Sequence, residues 1–160
     1  MEVTRLKRKP TLAQQVAALP LRMTKDGRFE MLMVTSRENK RWVLPKGWPM
    51  AEKSLWEAAE IEALEEAGAT GAMLEKAAGS YRYRKVRPEL PNLPCEVTVF
   101  AMNVTQLQDR WKEKGERQRK WFKLSDAAKR VWEADLRALL RKLDKKQATK
   151  TLVAEFGQIS

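Results

Sequence analysis

The chain has 160 residues, 43% hydrophobic and 33% charged, with a formal net charge of +11, one cysteine and no histidine. That size makes one domain with room for a core, and the composition excludes a disordered or fibrous chain. Without histidine there is no histidine triad, histidine metal site or imidazole proton shuttle, and one cysteine, Cys95, forms neither an internal disulfide nor a cysteine-rich zinc site.

No apolar run approaches the ~18 residues of a membrane span, and the basic start followed by a glutamine- and proline-interrupted stretch is no secretory signal. The expected compartment is the cytoplasm, with no membrane partner. The surplus of positive charge fits an anionic partner (a phosphorylated small molecule, nucleic acid or an acidic surface), and it equally serves solubility. Nothing in the sequence fixes an oligomeric state.

In chain order, residues 1–10 read as a basic flexible arm, 11–146 as a single domain and 147–160 as a C-terminal tail of ambiguous structure. Residues 14–23 and 29–37 read as two strands of a hairpin, because Asp26-Gly27 is a turn signal between apolar runs. Residues 41–47 form a short third strand that stops at Pro45. Ser54 with Glu57 makes a capping box for the next helix, and Gly68 stands where it should end. Residues 78–86 and 95–104 read as strands, with 87–94, carrying three prolines, as the loop between them. A strand over 119–124 precedes a helix that starts at Ser125. Leu136, Leu139, Leu140 and Leu143 then have the spacing of an amphipathic helix. This mixed order predicts an α/β or α+β fold with a mixed sheet.

The helix after Ser54 carries the densest chemistry. At about 100° per residue, Glu62, Glu65 and Glu66 fall within one arc, shared one to two turns earlier by Leu55, Ala58 and Ala59. Like charges at these offsets cost a helix about 0.2–0.5 kcal/mol per pair. A divalent cation offsets that repulsion, since Mg²⁺ or Mn²⁺ takes one or two carboxylates and completes its shell with water and phosphate oxygens. Three glutamates on a solvated face are the plainer reading of the helix alone.

The surrounding frame resembles the Nudix hydrolase signature: a glycine, five residues, a glutamate, seven residues, then Arg-Glu-aliphatic-x-Glu-Glu-x-Gly-aliphatic. Gly47, Glu62, Ala63, Glu65, Glu66, Gly68 and Ala69 fall on its positions, while Lys53 replaces the first glutamate and Ile61 the arginine. In the family that glutamate and arginine brace the loop against the helix, so both partners of the brace are missing and the ligand set remains. The resemblance implies a Nudix-type α/β/α sandwich with a mixed β-sheet and the Nudix loop-helix. It also implies Mg²⁺-dependent (or Mn²⁺-dependent) hydrolysis of a nucleoside- or inositol-linked diphosphate or polyphosphate by a metal-activated water. The "LPKG" entry at residues 44–47 is similar to the diphosphoinositol polyphosphate and diadenosine polyphosphate hydrolase branch.

On this resemblance the Gly47 carbonyl, Glu62, Glu65 and Glu66 are the metal ligands, and Glu65 and Glu66 are the catalytic candidates, one of them taking the proton of the attacking water. Arg37, Arg41, Lys46, Arg82, Arg84 and Lys85 flank the motif as candidate phosphate ligands, arginine being suited to bidentate contact with phosphate oxygens. Each also reads as an ordinary surface charge. Trp48, next to Gly47, is the tryptophan expected to border substrate; the others are expected in the core. Alternatives are an ADP-ribose or nucleotide-sugar pyrophosphatase, an enzyme of capped or triphosphorylated RNA ends, and a catalytically weak scaffold that binds nucleic acid or phospholigands.

Overall fold

The computed structural model describes residues 12–159; the expected basic arm, 1–10, lies outside them. An eight-stranded mixed sheet forms the middle layer. Its centre is β1 (Ala13–Met23), antiparallel to β2 (Phe29–Thr35) on one side and parallel to β7 (Leu90–Leu107) on the other. The hairpin turn falls at Asp26-Gly27 as expected, with Gly27 at φ 78°, where glycine carries no steric penalty. The third strand is split at Pro45: β3 (Trp42–Val43) pairs antiparallel with β2, whereas β4 (Lys46–Gly47) crosses to pair with β1. This crossing puts Lys46 and Gly47 at the edge of the central strand, beneath the helix that follows.

That helix, α1 (Leu55–Ala67), has the expected boundaries. Ser54 and Glu57 exchange both capping-box bonds, and Gly68 closes the helix in the left-handed region at φ 63°. After it, β5 (Ala69–Met73) and β6 (Gly79–Arg87) both pair with the long β7, and β8 (Arg119–Lys123) pairs with β2. Three short helices follow: α2 (Leu124–Arg130), α3 (Ala134–Leu143) and α4 (Lys146–Gly157).

Strand alternation divides the core in two. Val16, Ala18, Leu32 and Val34 face α1, where they meet Ala58, Ala59, Ala63 and Ala67. The alternate residues Ala17, Leu19, Leu21, Met31 and Met33 face α2 and α3, where Leu124, Leu136, Leu140 and Leu143 close the second core. Because both faces are covered, residues 15–21 of β1 are buried without interruption, as a strand between two layers requires. The result is the expected α/β/α sandwich with a mixed sheet.

Four expectations need correction. Residues 87–94 are not a loop: only Pro88 and Glu89 turn, and β7 begins at Leu90. Its first five residues run past the end of β1 as one arm of a projecting two-stranded ribbon with β6, an edge setting in which proline is admitted. The second helix starts at Leu124 after an N-cap lysine that makes no capping bond, so Ser125 lies inside it. The ambiguous tail forms α4, held by buried Leu152 and by an edge-to-face contact between Phe156 and Phe29 with centroids 6.3 Å apart. Finally, Leu55 is 45% exposed, and the buried apolar residues of α1 are all alanines, with Trp56 packed at the margin of that core.

Alanines let the α1 backbone lie close to the sheet, which fixes how far its glutamates reach. Ala63→Leu is therefore expected to overfill this contact and to cost about 1–3 kcal/mol in chemical denaturation. A midpoint equal to that of the wild type would show that the helix has slack to spare.

Candidate active site

The close approach of α1 to β4 builds the centre of the site. Gly47 lies directly beneath Glu62: a Cβ at position 47 would collide with the Glu62 carboxylate, its carbon 2.5 Å away. A side chain here would displace the Glu62 carboxylate from this position. One turn on, Glu66 is only 6% exposed, and it shares a hydrogen bond with Glu62. Burial, then this bond to Glu62, pushes the Glu66 pKa up to about 8, against the opposing effect of Arg117. Burial also raises that of Glu62. Two carboxyls crowded into a partly buried site disfavour each other's charge, and a positive charge beside them offsets this.

Arg117 supplies part of that charge. Its Nη2 lies 3.7 Å from Glu66 Oε1, its Nε 2.9 Å from Glu113 Oε1, and its Nη1 donates to the Thr35 carbonyl at 3.0 Å. The Lys46 backbone N–H approaches Glu66 Oε1 at 3.4 Å, a long contact. The Lys46 ammonium sits 5.3 Å from the centre of the Tyr83 ring. Burial lowers its pKa, Glu133 and Glu66 oppose that, and Lys85 and Arg117 add to it. A half-buried ammonium with cations beside it gains from an anion placed against it.

Around this floor opens a cleft of about 980 Å³. Of the residues expected from sequence, Arg37, Arg41, Lys46, Gly47, Trp48, Glu62, Glu66, Arg82, Arg84 and Lys85 all line it. Several of the cations are already engaged. Arg37 lies 3.4 Å from Glu116 and 4.0 Å from Glu113, Arg82 pairs with Glu96 at 3.1 Å, and Arg41 lies over the Trp132 ring at 4.0 Å. Lys46, Arg84 and Lys85 make no ion pair with a described residue. Trp48 is 46% exposed at the cleft, as expected, while Trp42, Trp56 and Trp121 pack against the two cores.

Glu65 does not reach the cleft. One residue is a turn of about 100° on a helix, and that rotation carries Glu65 from the Glu66 side to the flank, where its carboxylate lies 3.7 Å from Lys112. Glu113 lines the cleft instead, beside Arg117. Sequence reasoning missed Glu113, Arg117 and Trp132. The first two sit in a run of alternating charges without periodicity, and Trp132, 69% exposed, lies in the short connection between α2 and α3.

Among the described residues, no three acidic, cysteine or histidine side chains gather closely enough to hold a metal by themselves. The pair nonetheless fits a hard divalent cation. It offers two carboxylates and a backbone kept free of side chain at Gly47, and Mg²⁺ needs no more from a protein when water and phosphate oxygens complete its shell.

The NUDIX domain family profile matches residues 12–143. Nudix hydrolase 21, chloroplastic, of Arabidopsis thaliana is 36% identical over 117 residues, covering 71% of this chain and 57% of that protein. The diphosphoinositol polyphosphate phosphohydrolase 3-alpha of Mus musculus is 33% identical over 101 residues, covering 62% of this chain and 57% of that protein. The chain thus spans about half the length of the curated relatives it matches. Among solved structures, that of a C. elegans Ap4A hydrolase superposes with a TM-score of 0.60 at 22% identity, covering 83% of this chain and 96% of the other. No helix among the described residues is long and apolar enough to cross a membrane. With the profile covering the sheet, the glutamate helix and the cleft alike, the chain belongs to the NUDIX family.

Proposed function

We propose that the protein is a Mg²⁺- or Mn²⁺-dependent hydrolase of a nucleoside- or inositol-linked diphosphate or polyphosphate. The observation that carries this reading is the Glu62–Glu66 pair, held against Gly47 on the floor of a cleft lined by basic side chains. Relatives named as Nudix hydrolases and as a diphosphoinositol polyphosphate phosphohydrolase support it.

Glu62 and Glu66, with the Gly47 carbonyl, would hold the cation. The bound ion would supply charge neutralisation at phosphorus and a water of lowered pKa. The rest falls to the chain. Lys46, half-buried and without an ion-pair partner among the described residues, receives a phosphate oxygen, and Lys85 and Arg84 extend the anion site along β6. Glu113 replaces Glu65 as the additional carboxylate on the cleft, and Arg117 at 2.9 Å orients it toward a proton it would accept. Trp48 and Trp132, the latter already carrying the Arg41 guanidinium on its ring, border the cleft with aromatic surface that a nucleobase can use, which favours nucleoside-linked substrates within the class.

The test is release of phosphate or nucleotide, with Mg²⁺ or Mn²⁺, from dinucleoside polyphosphates, inositol pyrophosphates, ADP-ribose and triphosphorylated RNA. Turnover is expected to require the metal and to vanish in Glu66→Gln, with circular dichroism unchanged. Near wild-type turnover in that variant would sink the site assignment, and metal-independent ligand binding without turnover would favour the scaffold reading. Gly47→Ala, which drives a methyl group into Glu62, should weaken Mn²⁺ binding roughly tenfold or more; unaltered affinity would remove Gly47 from the site. Lys46→Ala should raise KM by about tenfold while leaving thermal stability nearly untouched, and an unchanged KM would make Lys46 a spectator.

A further inference from the structure

With Lys53 and Ile61 in place of the family's glutamate and arginine, α1 lacks the brace that the motif provides elsewhere. Its C-terminal end poses a second difficulty. A helix leaves its last four carbonyls without internal partners and carries partial negative charge there. This one has Glu65 and Glu66 at that end, no basic residue in its last turn, and buried Ala67 and Gly68.

Every one of those carbonyls nevertheless has a donor. Leu64 O accepts from the Gly68 N–H at 3.0 Å. The other three are served by a segment remote in sequence: Glu65 O by the Glu113 N–H at 3.0 Å, Glu66 O by Trp111 Nε1 at 3.1 Å, and Ala67 O by Arg119 Nη1 at 2.9 Å. The same segment extends the series to Gly68 O, which accepts from the Gln108 N–H at 2.8 Å. The Arg119 guanidinium stacks on the Trp111 ring at 3.9 Å, and both rest on Gly68, where a Cβ would come within 2.8 Å of the guanidinium and 3.0 Å of the ring. Gly68 therefore serves twice, for its left-handed backbone and for the room it leaves.

We infer that residues 108–119 form a clamp that takes over from the missing brace, with Trp111 and Arg119 as positioning residues for Glu62 and Glu66. The clamp is anchored to the sheet: the Thr35 N–H donates to Gln118 O at 3.0 Å, and the Gln118 N–H to Thr35 Oγ1 at 2.9 Å. Fixing consecutive carbonyls of a rigid helix fixes its rotation and its axial position, and hence where its carboxylates stand over Gly47. Arg117, within the same segment, holds the Glu66 side chain directly. Tryptophan suits its place because its ring nitrogen only donates, and here the partner is a carbonyl that has no other donor.

This inference rests on the reading of Glu62 and Glu66 as the cation site, so two readouts separate the two. Trp111→Phe keeps the ring and deletes the donor; Arg119→Gln removes the Ala67 bond and serves if the first variant does not fold. Mn²⁺ affinity, followed by electron paramagnetic resonance, is compared in wild type, Trp111→Phe, Arg119→Gln and Glu66→Gln, and amide hydrogen exchange is followed in α1. The clamp predicts a roughly tenfold or greater loss of Mn²⁺ affinity in the clamp variants, faster exchange over residues 62–68, and a fall in kcat with KM little changed. Wild-type affinity in the clamp variants, when Glu66→Gln has lost it, overturns the positioning role. If wild type and Glu66→Gln bind Mn²⁺ alike, the cation reading fails and exchange decides the clamp: unchanged protection over residues 62–68 overturns it.

Discussion

The structure turns on two carboxyl groups, one buried and one half-buried, that crowd one another on the floor of the cleft. Glu62 and Glu66 stand on adjacent turns of α1, and the Glu62 carboxylate occupies the room left by the missing side chain of Gly47. Such an arrangement is unfavourable on its own. Burial disfavours the charge of each, and each disfavours the charge of the other, so that the Glu66 pKa lies near the neutral range. A protein keeps an acidic pair in this condition at a net cost in stability unless a cation completes it, and perturbed groups of this kind gather at functional sites. The rest of the architecture bears on that pair: alanines that bring α1 down to the sheet, β4 that crosses to carry Gly47 beneath it, and Arg117 that partly neutralises it.

The surrounding charge is less free than a net +11 suggests. Arg37, Arg82 and Arg117 each face a carboxylate, and Arg41 is spread over Trp132. These pairs orient guanidinium groups along the walls and neutralise much of their field. Among the described residues, those lining the cleft without a carboxylate partner are Lys46 at the floor and Arg84, Lys85 and Arg87 on β6, Arg87 donating to the Pro91 carbonyl. A cleft with an acidic pair below and a few uncommitted cations beside it suits a ligand that is negative but reaches the acids through a metal. A ligand bound by charge alone, as nucleic acid is in nonspecific complexes, would be better served by an uninterrupted basic surface.

Much of this was legible in the chain because it is written locally. The capping box at Ser54 and Glu57, the terminating Gly68, and the fixed spacing from Gly47 to Ala69 specify a helix and its place relative to a turn. Leu136, Leu139, Leu140 and Leu143 give the buried stripe of α3 by period alone. What depends on long-range contact was not legible. Period and spacing place three glutamates on one arc, but only the neighbour that covers the helix decides that Glu66 is buried and Glu65 turned to Lys112. The segment around residues 108–118 has no period, and its glutamates, lysines and arginines look like a solvated surface; Trp111 alone hints that something there is held. Prolines at 91 and 94 speak against a strand until β7 is seen to outrun β1 and become an edge.

The most direct test of the account is to locate the cation itself. Crystals grown with Mn²⁺, measured near its absorption edge, should give an anomalous peak between the Glu62 and Glu66 carboxylates within coordination distance of the Gly47 carbonyl, at roughly 2.0–2.3 Å from its oxygen ligands. A peak at Glu65 and Lys112, on the outer surface, or no peak at saturating Mn²⁺ with Glu62 and Glu66 still hydrogen bonded to each other, would contradict the reading of this pair as a metal site.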